Sequence, residues 1–124
     1  MAGFRSFREF AAWRLASSLR RAVVPLCGRA AAAKDYKLYG QITEAARSAP
    51  RNIAEGFGRY RHREFAQFVR IAKASEVELL NHFEEACNCG YLTTAERRDL
   101  DRAAKRAIKA ASGLIRYLES TPDP

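Results

Sequence analysis

The sequence predicts an all-α fold of four helices, on three observations. Apolar residues recur at spacings of three and four along four separate segments, which gives each helix one stripe to bury. Helix-starting patterns stand at Ser6 with Glu9 and at Thr93 with Glu96. Helix breakers fall between the stripes, at Pro25 and Gly28, at Gly56 and Gly58, and at Gly90. With 124 residues the chain is expected to form a single domain over 1–124, large enough to bury a core and small enough to gain from self-association.

The first helix is expected to start at Ser6 and to bury Ala12, Leu15, Ala16, Leu19, Val23 and Leu26. Phe10, Trp13 and Val24 fall off that face and make a second apolar surface. It either covers the end of the fold or serves as an oligomer interface. Pro25 and Gly28 mark a fraying end, and Arg29 to Lys37 read as a connection. The second helix, from about Tyr36 to Glu55, carries the stripe Tyr39, Ile42, Ala46, Ala49 and Ile53. Pro50 interrupts it. Proline has no N–H for the carbonyl of Ala46 and its ring crowds that carbonyl, so a kink is expected, with Asn52 the nearest amide donor. Ser48, Asn52, Glu55 and Arg59 form a polar stripe beside the apolar one. Gly56 and Gly58 supply the freedom that ends a helix.

The third helix is expected from His62 to about Asn88, with Phe65, Phe68, Val69, Ala72, Leu79, Leu80, Phe83 and Ala86 inside. Glu76 lies in the middle of that stripe, and a buried carboxylate needs a partner. The plainer expectation is that it reaches the edge of the stripe or pairs with an arginine; the alternative is a polar site inside the fold. The fourth helix follows Thr93 and runs to about Glu119, burying Leu100, Ala104, Ala107, Ile108, Ala111, Leu114, Ile115 and Leu118, before Pro122 and Pro124 end the fold. Arg98, Arg102, Lys105, Lys109 and Arg116 line up on its opposite side with no carboxylate in the row.

Ser48, Pro50, Asn52-Ile53-Ala54-Glu55-Gly56, Gly58-Arg59 and Glu64-Phe65 resemble the signature of a family of small bacterial four-helix-bundle proteins. That family was first noticed as products of intervening sequences in large-subunit rRNA genes. Phe4, Trp13, Ile71-Ala72, Ser75, Glu78-Leu79 and Gly90-Tyr91-Leu92 extend the resemblance over nearly the whole chain. It implies a bundle that assembles as a ring, usually five-fold, and no known catalytic activity. A more distant relative is the accessory variability determinant of diversity-generating retroelements. The fold class expected is therefore an all-α, antiparallel up-and-down four-helix bundle with a proline-kinked second helix, and the partner expected first is a second copy of the chain, in a homopentamer. The sequence departs from the family at three places. It lacks a Phe-Pro pair after the first helix, has Arg61 where Ser or Thr would cap the third, and has Glu76 where Leu is usual.

The formal charge of +8 is uneven: residues 1–62 carry 12 Lys/Arg against 4 Asp/Glu, and residues 63–124 carry 10 against 10. Such a surplus favours polyanionic partners such as nucleic acid, RNA or DNA, or anionic membrane surfaces. The candidate phosphate contacts are Arg47, Arg51, Arg59, Arg61 and Arg63 around the glycine turn, with Arg98, Arg102, Lys105, Lys109 and Arg116 on the fourth helix. The alternative is a scaffold or accessory subunit that docks a nucleic-acid enzyme such as a reverse transcriptase. Three cysteines suit a reducing cytoplasm, and no apolar run is long enough for a membrane span. Cys87, Cys89 and His82 are too few for a zinc site, and Gly56-Phe57-Gly58 is too short for a nucleotide loop. Neither a catalytic set nor a cofactor is expected. Glu55 is the most tempting catalytic carboxylate, and pairing with Arg51 or Arg59 explains it more simply.

Overall fold

In the computed structural model, which describes residues 3–124, the chain is helical throughout, with no strand among the described residues. A 3-10 turn, Phe7–Glu9, leads into α1 (Ala11–Ala22) and α2 (Val24–Ala32); then come α3 (Tyr36–Phe57), α4 (His62–Asn88) and α5 (Thr94–Ser120). The capping box at Ser6 and Glu9 is formed, but it caps the 3-10 turn. Phe10 is extended, at φ −81° and ψ 129°, so the α-helix begins one residue later.

A helix over Val24–Ala32 replaces the fraying end and the connection expected from Pro25 to Lys37. Pro25 sits in its first turn, where the missing N–H has no helical acceptor to lose and the fixed φ suits the helix, so here proline begins a helix. Its end is a Schellman turn without glycine. Lys34 takes φ 62°, the amide of Asp35 donates to the carbonyl of Ala30 at 2.9 Å, and that of Lys34 donates to Ala31 at 3.0 Å. The same turn closes α4 at Gly90, φ 82°, where the amide of Tyr91 donates to Ala86 at 2.9 Å.

The core forms two layers. One joins Leu19, Val23 and Leu26 to Leu38 and Ile42 of α3, Leu79 and Phe83 of α4, and Leu100 and Ala104 of α5. The other joins Phe10 and Ala16 to Ala49 and Ile53, Phe65 and Val69, and Leu114 and Leu118. Each of α3, α4 and α5 thus gives one half to each layer. In the bundle α3 packs on α1, α2 and α4, while α5 packs on α4 and α1.

Gly56 is inside α3, not beyond its end. A Cβ there would lie 2.8 Å from both Phe65 Cδ1 and Phe68 Cβ, so its bare backbone is what lets α3 approach α4. Gly58 has φ −72°, an ordinary helical value, and the helix ends without left-handed geometry at either glycine.

Candidate nucleic-acid interface

Helix α5 is amphipathic because its alanines and leucines recur at helical spacing, and burying them turns the opposite side outward. Arg98, Arg102, Lys105, Lys109 and Arg116 are all exposed there. At a rise of about 1.5 Å per residue the row runs roughly 27 Å along the helix. Arg106 and Arg97 join its upper part. With Arg98, Arg102, Lys105 and Lys109 they line a shallow furrow of 590 Å³ on the surface of this one helix. Those two were missed in the sequence because they lie outside the narrow sector of the row, whereas long side chains sweep a wider arc.

The row is less purely basic than the sequence reading held. Asp99 reaches Arg102 at 4.0 Å, Asp101 pairs with Arg97 at 3.4 Å, and Asp101 also lines the furrow. Below Asp101 the charge is of one sign: from 102 to 118 there are five Lys/Arg and no Asp or Glu.

The arginines on α3 and around the turn fall into separate places. Arg47 and Arg51 lie exposed on α3; α3 and α5 both pack on α1 and α4 and so occupy opposite corners of the bundle. Arg51 is held by Glu44 at 2.9 Å. Arg59 pairs with Glu55 at 3.8 Å and stacks 4.9 Å over the Phe68 ring, while Arg61 and Arg63 are exposed with no ion pair among the described residues. Of the turn arginines, Arg63 comes near α5, lining one pocket with Leu118 and Glu119. The chain after α5 folds back onto that turn: Asp123 Oδ1 accepts from the amide of His62 at 2.8 Å, His62 Nδ1 lies 2.8 Å from the Thr121 carbonyl, and Tyr60 Oη donates to the Pro124 carbonyl at 2.5 Å. Asp123 thus supplies the cap that Arg61 lacks, from 61 residues away. Arg116, near the end of α5, lies toward this turn, whereas Arg98 lies at the other end of the helix.

The signature residues Ser48, Pro50 and Asn52 are buried in α3, and no ligand-facing role follows from their geometry. Asn52 Nδ2 donates to the carbonyl of Ser48 at 2.8 Å and to its Oγ at 3.0 Å, and Ser75 Oγ donates to Ser48 Oγ at 2.8 Å. Asn52 therefore serves Ser48, and not the Ala46 carbonyl, for which Pro50 has no N–H to offer. These bonds tie α3 to α4 beside the proline.

Glu76 overturns the plainer expectation. It is 0 % exposed, reaches no edge, and neither carboxylate oxygen has a hydrogen-bond partner. It sits between Ala72 of one core layer and Leu79 of the other. Burial alone pushes its carboxyl up to about 8.

Of the three residues assigned to an apolar outer surface, Phe10 is withdrawn. It is 7 % exposed and packs against Phe4, Phe57 and Phe65 at ring distances of 4.5 to 5.7 Å, because the extended backbone at Phe10 turns its ring inward. Trp13 is half-buried against Phe7, and Val24 is 63 % exposed.

Cys27, Cys87 and Cys89 are free thiols. Among the described residues no three His, Cys, Asp or Glu side chains gather as metal ligands, and no helix is long and apolar enough to cross a membrane. Comparison with curated proteins returns no match. Residues 8–113 match the family model described as 23S rRNA-intervening sequence protein, and with that match spanning most of the chain, the protein belongs to this family.

Proposed function

We propose that the protein is a non-enzymatic, oligomeric helical bundle that binds RNA or DNA through phosphate contacts made by the outer face of α5. The observation that carries this reading is the row from Arg102 to Arg116, exposed along one helix with no carboxylate between 102 and 118. Such a row neutralises phosphates without reading bases, so binding is expected to show little sequence preference. The family's description, which ties it to 23S rRNA intervening sequences, favours RNA as the first ligand to test.

The bundle that presents the row is inferred to run antiparallel, up and down. Supporting this, the first half of α4 and the last half of α5 share a core layer with the last half of α3. A bend in α3 at Pro50 belongs to the same reading, since the ring of Pro50 crowds the carbonyl of Ala46. A homo-oligomer, with five copies the expected number, would multiply the row around an axis and strengthen its field.

The test is the salt dependence of binding. Each phosphate contact adds roughly 0.9 to the log–log slope on duplex DNA, and about 0.7 on single strands, so several contacts give a slope of several units. Reversing Arg102, Lys105 and Lys109 to glutamate should abolish binding while helicity and oligomer mass persist. Unchanged affinity in that variant would remove α5 as the site. Failure of the parent protein to bind any RNA or DNA at about 50 mM salt, where screening is weak, would favour the second reading, a scaffold that docks an acidic protein partner such as a nucleic-acid enzyme.

A further inference from the structure

The longest interruption of this chain's positive charge lies on α4 and the turn after it. From residue 74 to residue 96 there is no Lys or Arg, and five glutamates fall in that stretch. Glu76 is buried and Glu96 is paired with Arg29 at 2.7 Å. The remaining three, Glu78, Glu84 and Glu85, are exposed on the outer side of α4. With Ala74, Val77 and Asn81 they follow spacings of three and four, so they share one face. Val77 is 47 % exposed in the middle of it. Glu84 and Glu85 have no ion pair among the described residues, and Glu78 meets only His82, at 3.6 Å. The outer face of α4 is therefore an acidic ridge with an apolar centre.

A surface of the opposite kind lies on the other side of α3. The groove of 460 Å³ between α2 and α3 has Val23 and Ala46 at its base, exposed Val24 and Tyr39 on its walls, and Arg20 and Arg47 at its rim. No carboxylate lines it. Neither arginine has an ion pair among the described residues, although Glu44 stands one turn from Arg47 and is taken by Arg51. Val23 and Ala46 belong to the same core layer as Leu79 and Phe83, so groove and ridge lie in the same half of the bundle.

The geometry points to a head-to-tail contact in which the acidic ridge of α4 from one copy of this chain lies in the basic, apolar groove between α2 and α3 of the next. It rests on the self-association proposed above and names its two surfaces. A helix with an apolar centre and charged flanks fits a groove of this kind, and the flanks set the partner and the register. Because the two surfaces differ and lie on either side of α3, the contact is heterologous, and its repetition closes a ring or extends a filament according to the rotation per step. Arg47 is thereby assigned to the subunit contact and leaves the set of phosphate contacts. Val24 keeps its interfacial role as a wall of the groove, without Phe10.

Charge reversal with rescue tests this. Arg20→Glu with Arg47→Glu makes the groove acidic, and Glu84→Arg with Glu85→Arg makes the ridge basic. All four side chains are exposed, so helicity should be unchanged. Each variant alone should sediment as a monomer at a concentration where the parent associates, its dissociation constant raised by roughly a hundredfold or more, since like charges then face each other. Mixing the two variants in equal amounts should restore association above the monomer mass, because in alternating order each groove meets an opposite ridge; an odd-numbered ring cannot alternate throughout, so the restored species is an open or even-membered assembly. A parent protein that is monomeric at tens of micromolar would overturn the self-association reading and this contact with it. A parent that associates, together with reversed variants that keep its mass or fail to rescue each other, would overturn the groove and ridge assignment alone.

Discussion

Replacing Glu76 should make the protein more stable, by an amount that grows with pH. In the folded state the carboxyl is held neutral up to about 8, while in the unfolded chain it ionises near 4.5. A raised folded value means that the protonated group's contribution is fully present below about 4.5 and is lost as pH climbs toward 8. Each unit of separation is worth about 1.4 kcal/mol, so the loss amounts to about 3 kcal/mol at pH 7 and about 5 kcal/mol above pH 8. Glu76→Leu fills the space with an apolar side chain of similar size and removes the whole dependence. Relative to the parent it should gain about 5 kcal/mol more at pH 8.5 than at pH 4. At pH 4 it should gain only the roughly 1–3 kcal/mol of an unsatisfied buried polar group. For a chain of this length the larger figure corresponds to a rise in Tm of more than about 10 °C. Glu76→Gln should flatten the pH profile without the full gain, because the amide is also left unpartnered. The assay is denaturant unfolding at fixed protein concentration from pH 4 to pH 9, since association also moves the midpoint. A parent and a Glu76→Leu variant with parallel pH profiles would refute the reasoning, and would mean that the carboxylate finds a partner in solution.

Gly56→Ala should destabilise by about 1–3 kcal/mol or more, because the added methyl meets Phe68 Cβ at 2.8 Å and that atom cannot swing away; thermal unfolding checks this. Lys34→Gly should stabilise by about 1 kcal/mol, since the left-handed φ of 62° is strained for lysine and free for glycine, and the same measurement decides it. The Glu96 carboxyl is lowered to about 2, first by its hydrogen bond to Arg29 and then by the Thr93 amide. Its stabilising contribution is present above about 4.5 and should fade as pH falls toward 2, a dependence that Glu96→Gln removes from the acid limb of the unfolding profile.

The third and fourth helices were legible because each has a strong local signal and nothing competes with it. The structure starts α4 at His62 and ends it at Asn88, as the stripe predicts, and the Thr93–Glu96 box opens α5. The first arm was misread where a local signal has two meanings. Pro25 is compatible with the end of one helix and the first turn of another, and only the packing of Leu26 and Ala30 against the core selects the second. The stop at Lys34 was invisible because the left-handed position that usually shows as glycine is held by lysine here, with Gly28 placed misleadingly inside α2.

Glu76 and Phe10 failed for a different reason: their fate is decided by other segments. Helical periodicity gives the direction a side chain leaves its own helix, and says nothing about what meets it. Glu76 was correctly placed on the buried face of α4, yet the expectation of a partner assumed that an arginine from elsewhere would reach it, and none does. Phe10 was placed by extending the period of α1 backward over a residue that is not helical. The basic row on α5 was legible because it is a property of one helix. What could not be read was that α3 and α5 occupy opposite corners, which divides the ten candidate cations between two faces. A single nucleic-acid strand held by the Arg102 to Arg116 row cannot at the same time lie along Arg47 and Arg51 of the same subunit. If Arg51 contributes together with the row, it does so from a neighbouring subunit, and the salt slope of a monomeric variant should then fall below that of the assembled protein on the same ligand.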